Sequence, residues 1–122
     1  MRNMSFSMTT EAVRRGEKFV TRRLAWWNLE PGEVLMAVEK SQGLKKGEHV
    51  VRIRPIIAVS VRAEKLDTLR DRSVYPDPEL EMAMEGFPGM SVRDFITMFC
   101  RGNGIGENMV INRIVLAYPV GP

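Results

Sequence analysis

The sequence holds a single cysteine, Cys100, and a single histidine, His49. One thiol cannot close an internal disulfide, and one thiol with one imidazole falls short of the ligand set of a zinc site. A reducing, cytoplasmic setting with no metal or other cofactor is the expectation. Long hydrophobic runs are missing as well. None approaches the ~18 apolar residues that span a bilayer, and the opening Met1-Arg2-Asn3-Met4-Ser5-Phe6-Ser7-Met8 lacks the apolar centre of a secretory signal. No membrane partner is expected. Nor is there a large excess of one charge: 18 Lys and Arg against 15 Asp and Glu leave +3, far from a histone-like polycation. Repeats, linkers and low-complexity tracts are absent.

What remains is ordinary globular material, 44% apolar and 27% charged over 122 residues. That length suits one domain, 1–122, around one core. The distribution of charge says more than its total. Arg14, Arg15, Lys18, Arg22 and Arg23 fall close together, opposed locally by Glu17 alone. Such a field favours phosphate or another anion, although cations flanking a helix end and facing water would read the same way.

Periodicity gives the order of elements. Met4 to Met8 alternates as a half-buried strand does. Thr9 or Thr10 then offers an N-cap, Glu11 suits the first turn, and Gly16 is a stop, which predicts a helix over 10–15. Residues 17–24 read as extended, and Glu30-Pro31-Gly32 as a turn. Val34 to Val38 is an apolar strand, and 49–62 is a long β-branched strand in which Pro55 calls for a bulge, a corner or an edge. Asp77 and Pro78 predict the start of a helix that runs to Glu85 and stops at Gly86. Ser91 predicts the next start, with Val92, Phe95, Ile96 and Phe99 as the core stripe and an end near Gly102. Gly102 to Gly106 lacks the Lys-Ser/Thr of a phosphate loop and reads as a turn. Residues 109–118 form the closing strand. The class is α+β.

Gly16-Glu17-Lys18-Phe19-Val20-Thr21-Arg22-Arg23 resembles the glycine-x-lysine-x-x-threonine-x-arginine signature of ASCH domains, placed as in that family after the first short helix. Leu29-Glu30-Pro31-Gly32-Glu33 resembles the family's next turn, with Glu33 for its usual Asp. The long strand from Val50 and Glu85-Gly86-Phe87 before the last helix keep the family's order. The resemblance runs from Met4 to Tyr118. Departures are the Trp26-Trp27 pair, the insertion from Arg70 to Pro78, and the doubling of arginine at Arg22-Arg23.

The resemblance implies a PUA-like small β-barrel with a short N-terminal helix and two helices before the last strand. It implies a cleft that takes RNA or a modified nucleoside or nucleotide. Relatives in this family include hydrolases of the acetylcytidine amide, a ribonuclease and RNA-binding domains. By motif, Lys18 and Thr21 match the catalytic lysine and threonine, and Glu85 the glutamate. Arg14, Arg15, Arg22 and Arg23 are then candidate phosphate contacts, and Trp26 and Trp27 candidate stacking platforms.

The chemistry sets conditions. A threonine hydroxyl attacks an amide only if a base takes its proton, and Lys18 can be that base only as the neutral amine. Burial and the neighbouring arginines would favour that form; an ionised Glu85 would oppose it. In a regular strand residues three apart face opposite ways, so Lys18 must precede the strand if it is to share a pocket with Thr21. Apart from the resemblance, Lys18 reads as a solvated lysine, Thr21 as a strand former, Glu79, Glu81 and Glu85 as solvated helix residues, the tryptophans as core or lid, and Cys100 as a packed thiol.

Overall fold

In the computed structural model, which describes residues 1–120, the order is β1 (Asn3–Ser5), α1 (Thr10–Arg14), β2 (Val20–Arg23), β3 (Val34–Val38), β4 (Arg52–Lys65), a 3-10 turn (Leu66–Arg70), α2 (Pro78–Met84), α3 (Val92–Asn103) and β5 (Val110–Ala117). The helix boundaries follow their caps. Asp77 accepts from the Leu80 amide at 3.1 Å, and Ser91 Oγ accepts from the Asp94 amide at 3.0 Å. Pro78 sits at the start of α2, and Gly104, at φ 65°, ends α3. At α1 the Thr9 hydroxyl makes no cap; Thr10 Oγ1 instead donates back to the Phe6 carbonyl at 2.7 Å.

The five strands form one sheet in the order β1-β3-β4-β5-β2. β1 runs parallel to β3 and the other pairs are antiparallel. β4 is the spine. Pro55 lies opposite Met36, next to the register shift at Ala37/Val38 and before the ladder with β5 begins at Ile57, so its missing N–H costs no bond on that side. A second shift, between Ala58 and Ser60, bends the strand again.

The expected barrel is not closed by backbone pairing. Among the described residues β1 and β2 are the two free edges, with no ladder between them. Both are short, and the space between them holds Phe6, the Arg23 side chain and a cavity lined from both edges. The expected single core is likewise divided. One apolar cluster joins Met4, Phe6, Val13, Leu35, Ile56 and Leu116. The other joins Leu66, Leu69, Tyr75, Met82, Phe95, Ile96 and Ile111 beneath α2 and α3. The cavity takes Phe6 from the first cluster and Phe95 from the second, and so lies where they meet.

Candidate functional site

Lys18 reaches the site because α1 stops where it does. Gly16 takes φ 69°, and the amides of Gly16 and Glu17 close on Val13 and Ala12. The Phe19 amide then bonds the Met84 carbonyl at 2.8 Å, which ties this segment to the end of α2 before β2 begins at Val20. Lys18 as a whole is 2% exposed. Its Nζ donates to the Glu85 carbonyl and, at 3.2 Å, to Glu85 Oε1. The lysine thus completes the C-terminus of α2, where a cation is favoured. Burial pushes its pKa down, the Glu85 carboxylate pulls it up, and the balance lies below the ordinary lysine value.

Glu85 accepts from three sides: Lys18 Nζ and the Arg22 amide on Oε1, and Arg22 Nη1 on Oε2 at 2.8 Å. Arg22 is also buried. Its Nη2 meets Glu81 at 2.7 Å and Glu64 at 3.3 Å, and its Nε has no protein partner. Arg22 stands directly opposite Arg113 in the β2–β5 ladder. Two like charges at such a position repel; Glu81 lies between them, with Oε1 accepting from both, at 2.7 and 2.8 Å. Tyr75 donates to Glu64 and receives Arg62 at 2.7 Å, which extends the network.

Thr21 is buried, and its Oγ1 accepts from Arg23 Nε at 3.1 Å. Arg23 Nη2 donates to the Ser5 carbonyl at 2.5 Å, so a side chain spans the gap between the edges of β1 and β2. Its guanidinium lies 4.7 Å from the centre of the Phe6 ring. Unlike Arg22, Arg23 has no carboxylate within ion-pair distance among the described residues. Burial pushes its pKa down to about 10 against the distant pull of Glu85.

Lys18, Thr21, Arg22, Arg23 and Glu85 all line one cavity of about 280 Å³. Phe6, Leu24, Phe87, Phe95, Met98 and Phe99 supply its apolar wall. The other sequence candidates lie elsewhere. Arg14 pairs with Glu11 and Glu39, and Arg15 with Glu17, on the exposed side of α1. Trp27 is exposed, whereas Trp26 is half-buried against the first apolar cluster and lines a neighbouring cavity. Cys100 packs against the second cluster.

Sequence reasoning missed Glu64, Tyr75, Glu81 and Arg113, and also the apolar wall. One signal was available: Glu81 and Glu85 are four apart, hence on one face of a helix, and the cations of the motif strand needed carboxylates. Glu79, off that face, is exposed as expected, while Glu81 and Glu85 are buried. No group of three His, Cys, Asp or Glu among the described residues is placed to hold a metal ion, and no helix is long and apolar enough to cross a membrane.

No family model matches the chain. No curated protein matches it either. Among solved structures, the ASCH domain of Lactobacillus crispatus, known from a high-resolution crystal structure, is similar, with a TM-score of 0.56 and 20% identity. The match covers 95% of this chain and 77% of that one. The chain therefore has the fold of an ASCH domain.

Proposed function

We propose, from the ASCH fold as premise, that this chain binds RNA or a modified nucleotide in the cavity around Lys18, Thr21 and Glu85. The observation that carries the reading is the imbalance of charge at an apolar-walled cavity. Three cations line it: Glu85, Glu81 and Glu64 engage Lys18 and Arg22, whereas Arg23 meets no carboxylate among the described residues. An aromatic wall with a surplus of buried positive charge suits a base joined to an anion.

One observation favours a second reading, hydrolysis of the acyl amide of an acetylcytidine-type nucleoside. The depressed pKa of Lys18 raises its neutral fraction, as a base requires. Thr21 Oγ1 accepts from Arg23 and has no protein acceptor for its own proton among the described residues. In this reading the Thr21 oxygen attacks the acyl carbon as Lys18 takes its proton, and the cytosine amine leaves with a proton returned by Lys18. Water then releases the acyl group from Thr21. Glu85, an acceptor to three donors, holds Lys18 and Arg22 in place rather than giving up a proton.

The test is incubation of the purified protein with acetylcytidine and short RNAs, read for retention and, by mass spectrometry, for products. Retention of RNA without product, weakening steeply with salt, supports binding. Release of acetate, lost in both Lys18→Ala and Thr21→Val, supports the hydrolase. Neither retention nor product refutes both.

A further inference from the structure

A second cavity, of about 570 Å³, adjoins the first. Ser5, Ser7, Arg23, Leu24 and Asn103 line both, so the two meet along the gap between β1 and β2, with the Arg23 guanidinium at their boundary. Beyond it the second cavity is walled by Trp26 and Lys40. We infer that the two cavities form one groove for two consecutive nucleotides, with one base in the Lys18–Glu85 cavity, the linking phosphate on Arg23, and the neighbouring base on Trp26. The inference rests on the binding reading above and narrows its ligand from a nucleoside to a phosphate-linked pair.

Three independent features point the same way. Arg23 is the cation of the network without a carboxylate: its protein partners are a hydroxyl and a carbonyl, both neutral. Its lowered pKa reports a charge whose lost hydration those partners do not replace. A phosphate diester supplies both the charge and the paired acceptors that a guanidinium fork matches.

Trp26 carries the second feature. Its backbone is at φ 71°, a region that bulky residues avoid and that persists where the surroundings enforce it. The enforcement is visible: Asn112 Nδ2 donates to the Trp26 carbonyl at 2.9 Å, and the Arg2 guanidinium covers the ring at 4.9 Å. Arg2 is itself clamped by both oxygens of Glu33. The ring is thus held in advance in a side chain that lines the groove; Arg2 takes one face, so a base stacks only on what the groove leaves open of the other.

The third feature is size. The first cavity is near the lower end of the ~300–1,000 Å³ of ligand pockets, and the second lies well within that range. One nucleoside would leave the larger cavity empty.

The experiment is equilibrium binding, followed by titration calorimetry, a readout that does not depend on either tryptophan. The probes are cytidine and acetylcytidine, their 3′- and 5′-monophosphates, and the matching dinucleotides with adenosine. At least one monophosphate should bind about tenfold tighter than its nucleoside, and the dinucleotide a further fivefold or so tighter. Arg23→Gln should erase the first step. Trp26→Asn, which tolerates the left-handed backbone, should erase only the second. Arg23→Gln also removes the bridge to Ser5, so its fold is checked by circular dichroism; the unmutated series decides the matter without it. Nucleosides that bind while added phosphate brings no gain would overturn the inference and leave the binding reading standing. If no nucleoside, monophosphate or dinucleotide binds, both fall.

Discussion

Glu81→Gln is the sharpest perturbation of the buried charge network. The Glu81 side chain is 5% exposed and lies between Arg22, at 0%, and Arg113, at 13%. Its oxygens accept three hydrogen bonds from the two guanidinium groups, at 2.7, 2.8 and 3.2 Å. Glutamine keeps the shape and one acceptor, but turns an N–H₂ toward an arginine and leaves two opposed cations in a β-ladder with less charge to balance them. Removing one partner of a buried pair costs about 3–5 kcal/mol. At roughly 2.1 cal/mol/K per residue of unfolding entropy, each kcal/mol shifts Tm by about 4 °C in a chain of this length, so the loss is about 12–20 °C. The assay is thermal and urea unfolding, with Glu79→Gln as the exposed control expected within about 0.5 kcal/mol. The difference should also depend on pH. Burial pushes the Glu81 pKa up, but the hydrogen bonds of Arg113 and the charge of Arg22 outweigh it and hold the carboxyl below its ordinary value. Its stabilisation is therefore complete above the unfolded value, ~4.3, and fades as pH falls through the folded one, where the two proteins' stabilities converge. A loss under about 1 kcal/mol at pH 7 would refute the reasoning.

Two further outcomes follow from the same geometry. Gly86 sits at φ 96° with Thr9 Cγ2 only 2.9 Å from where a Cβ would stand; Gly86→Ala should cost about 1–3 kcal/mol in urea unfolding, and tolerance within 0.5 kcal/mol would contradict it. Lys18→Met removes one partner of a buried pair and the donor to the Glu85 carbonyl, but relieves the burial that dominates the lysine's pKa and leaves Glu85 with Arg22, so at pH 7 it should cost less than Glu81→Gln, under about 3 kcal/mol. Between the lowered folded value and the unfolded one, ~10.4, the unfolded chain binds the extra proton, so across that interval the stability of the parent relative to Lys18→Met should rise with pH. A falling difference would mean that Glu85 outweighs burial.

The parts of this fold legible in the sequence are those fixed by local chemistry. Asp77 and Pro78, Ser91 and Gly16 mark helix ends because each supplies a cap or a backbone angle on the spot, while the last helix, expected to end near Gly102, runs on to the left-handed Gly104. Val34 to Val38 is bounded by turns and matches β3 residue for residue. What escaped is tertiary. The long strand runs past Arg62 to Lys65 because Glu64 and Lys65 pair with Ile111 and Val110. Leu66 to Arg70 coils into a 3-10 turn because Leu66 and Leu69 are drawn beneath α3. Arg22 and Glu81 read as solvated charges until each is seen to be the other's partner. The closed barrel was an extrapolation from the resemblance, and the pairing leaves an open gap between β1 and β2.

That gap explains why two adjacent arginines have opposite fates. Strand alternation sends Arg22 and Arg23 to different sides of β2. Arg22 turns toward α2, where Glu81 and Glu85, with Glu64 of β4, balance it and it holds Glu85 in place. Arg23 turns toward the unpaired edge of β1, where only a hydroxyl and a carbonyl meet it. A sheet closed by a β1–β2 ladder would consume the Ser5 carbonyl and fill the space with backbone. The open edge keeps the cavity, and the cation at its border is left for a charge that the chain itself does not provide. On the proposed reading Arg22 is structural and Arg23 ligand-facing: Arg22→Met should be lost in stability, and Arg23→Lys in affinity while unfolding stays within about 1 kcal/mol of the parent. The opposite assignment of losses would move the anion site to the α2 side of the strand.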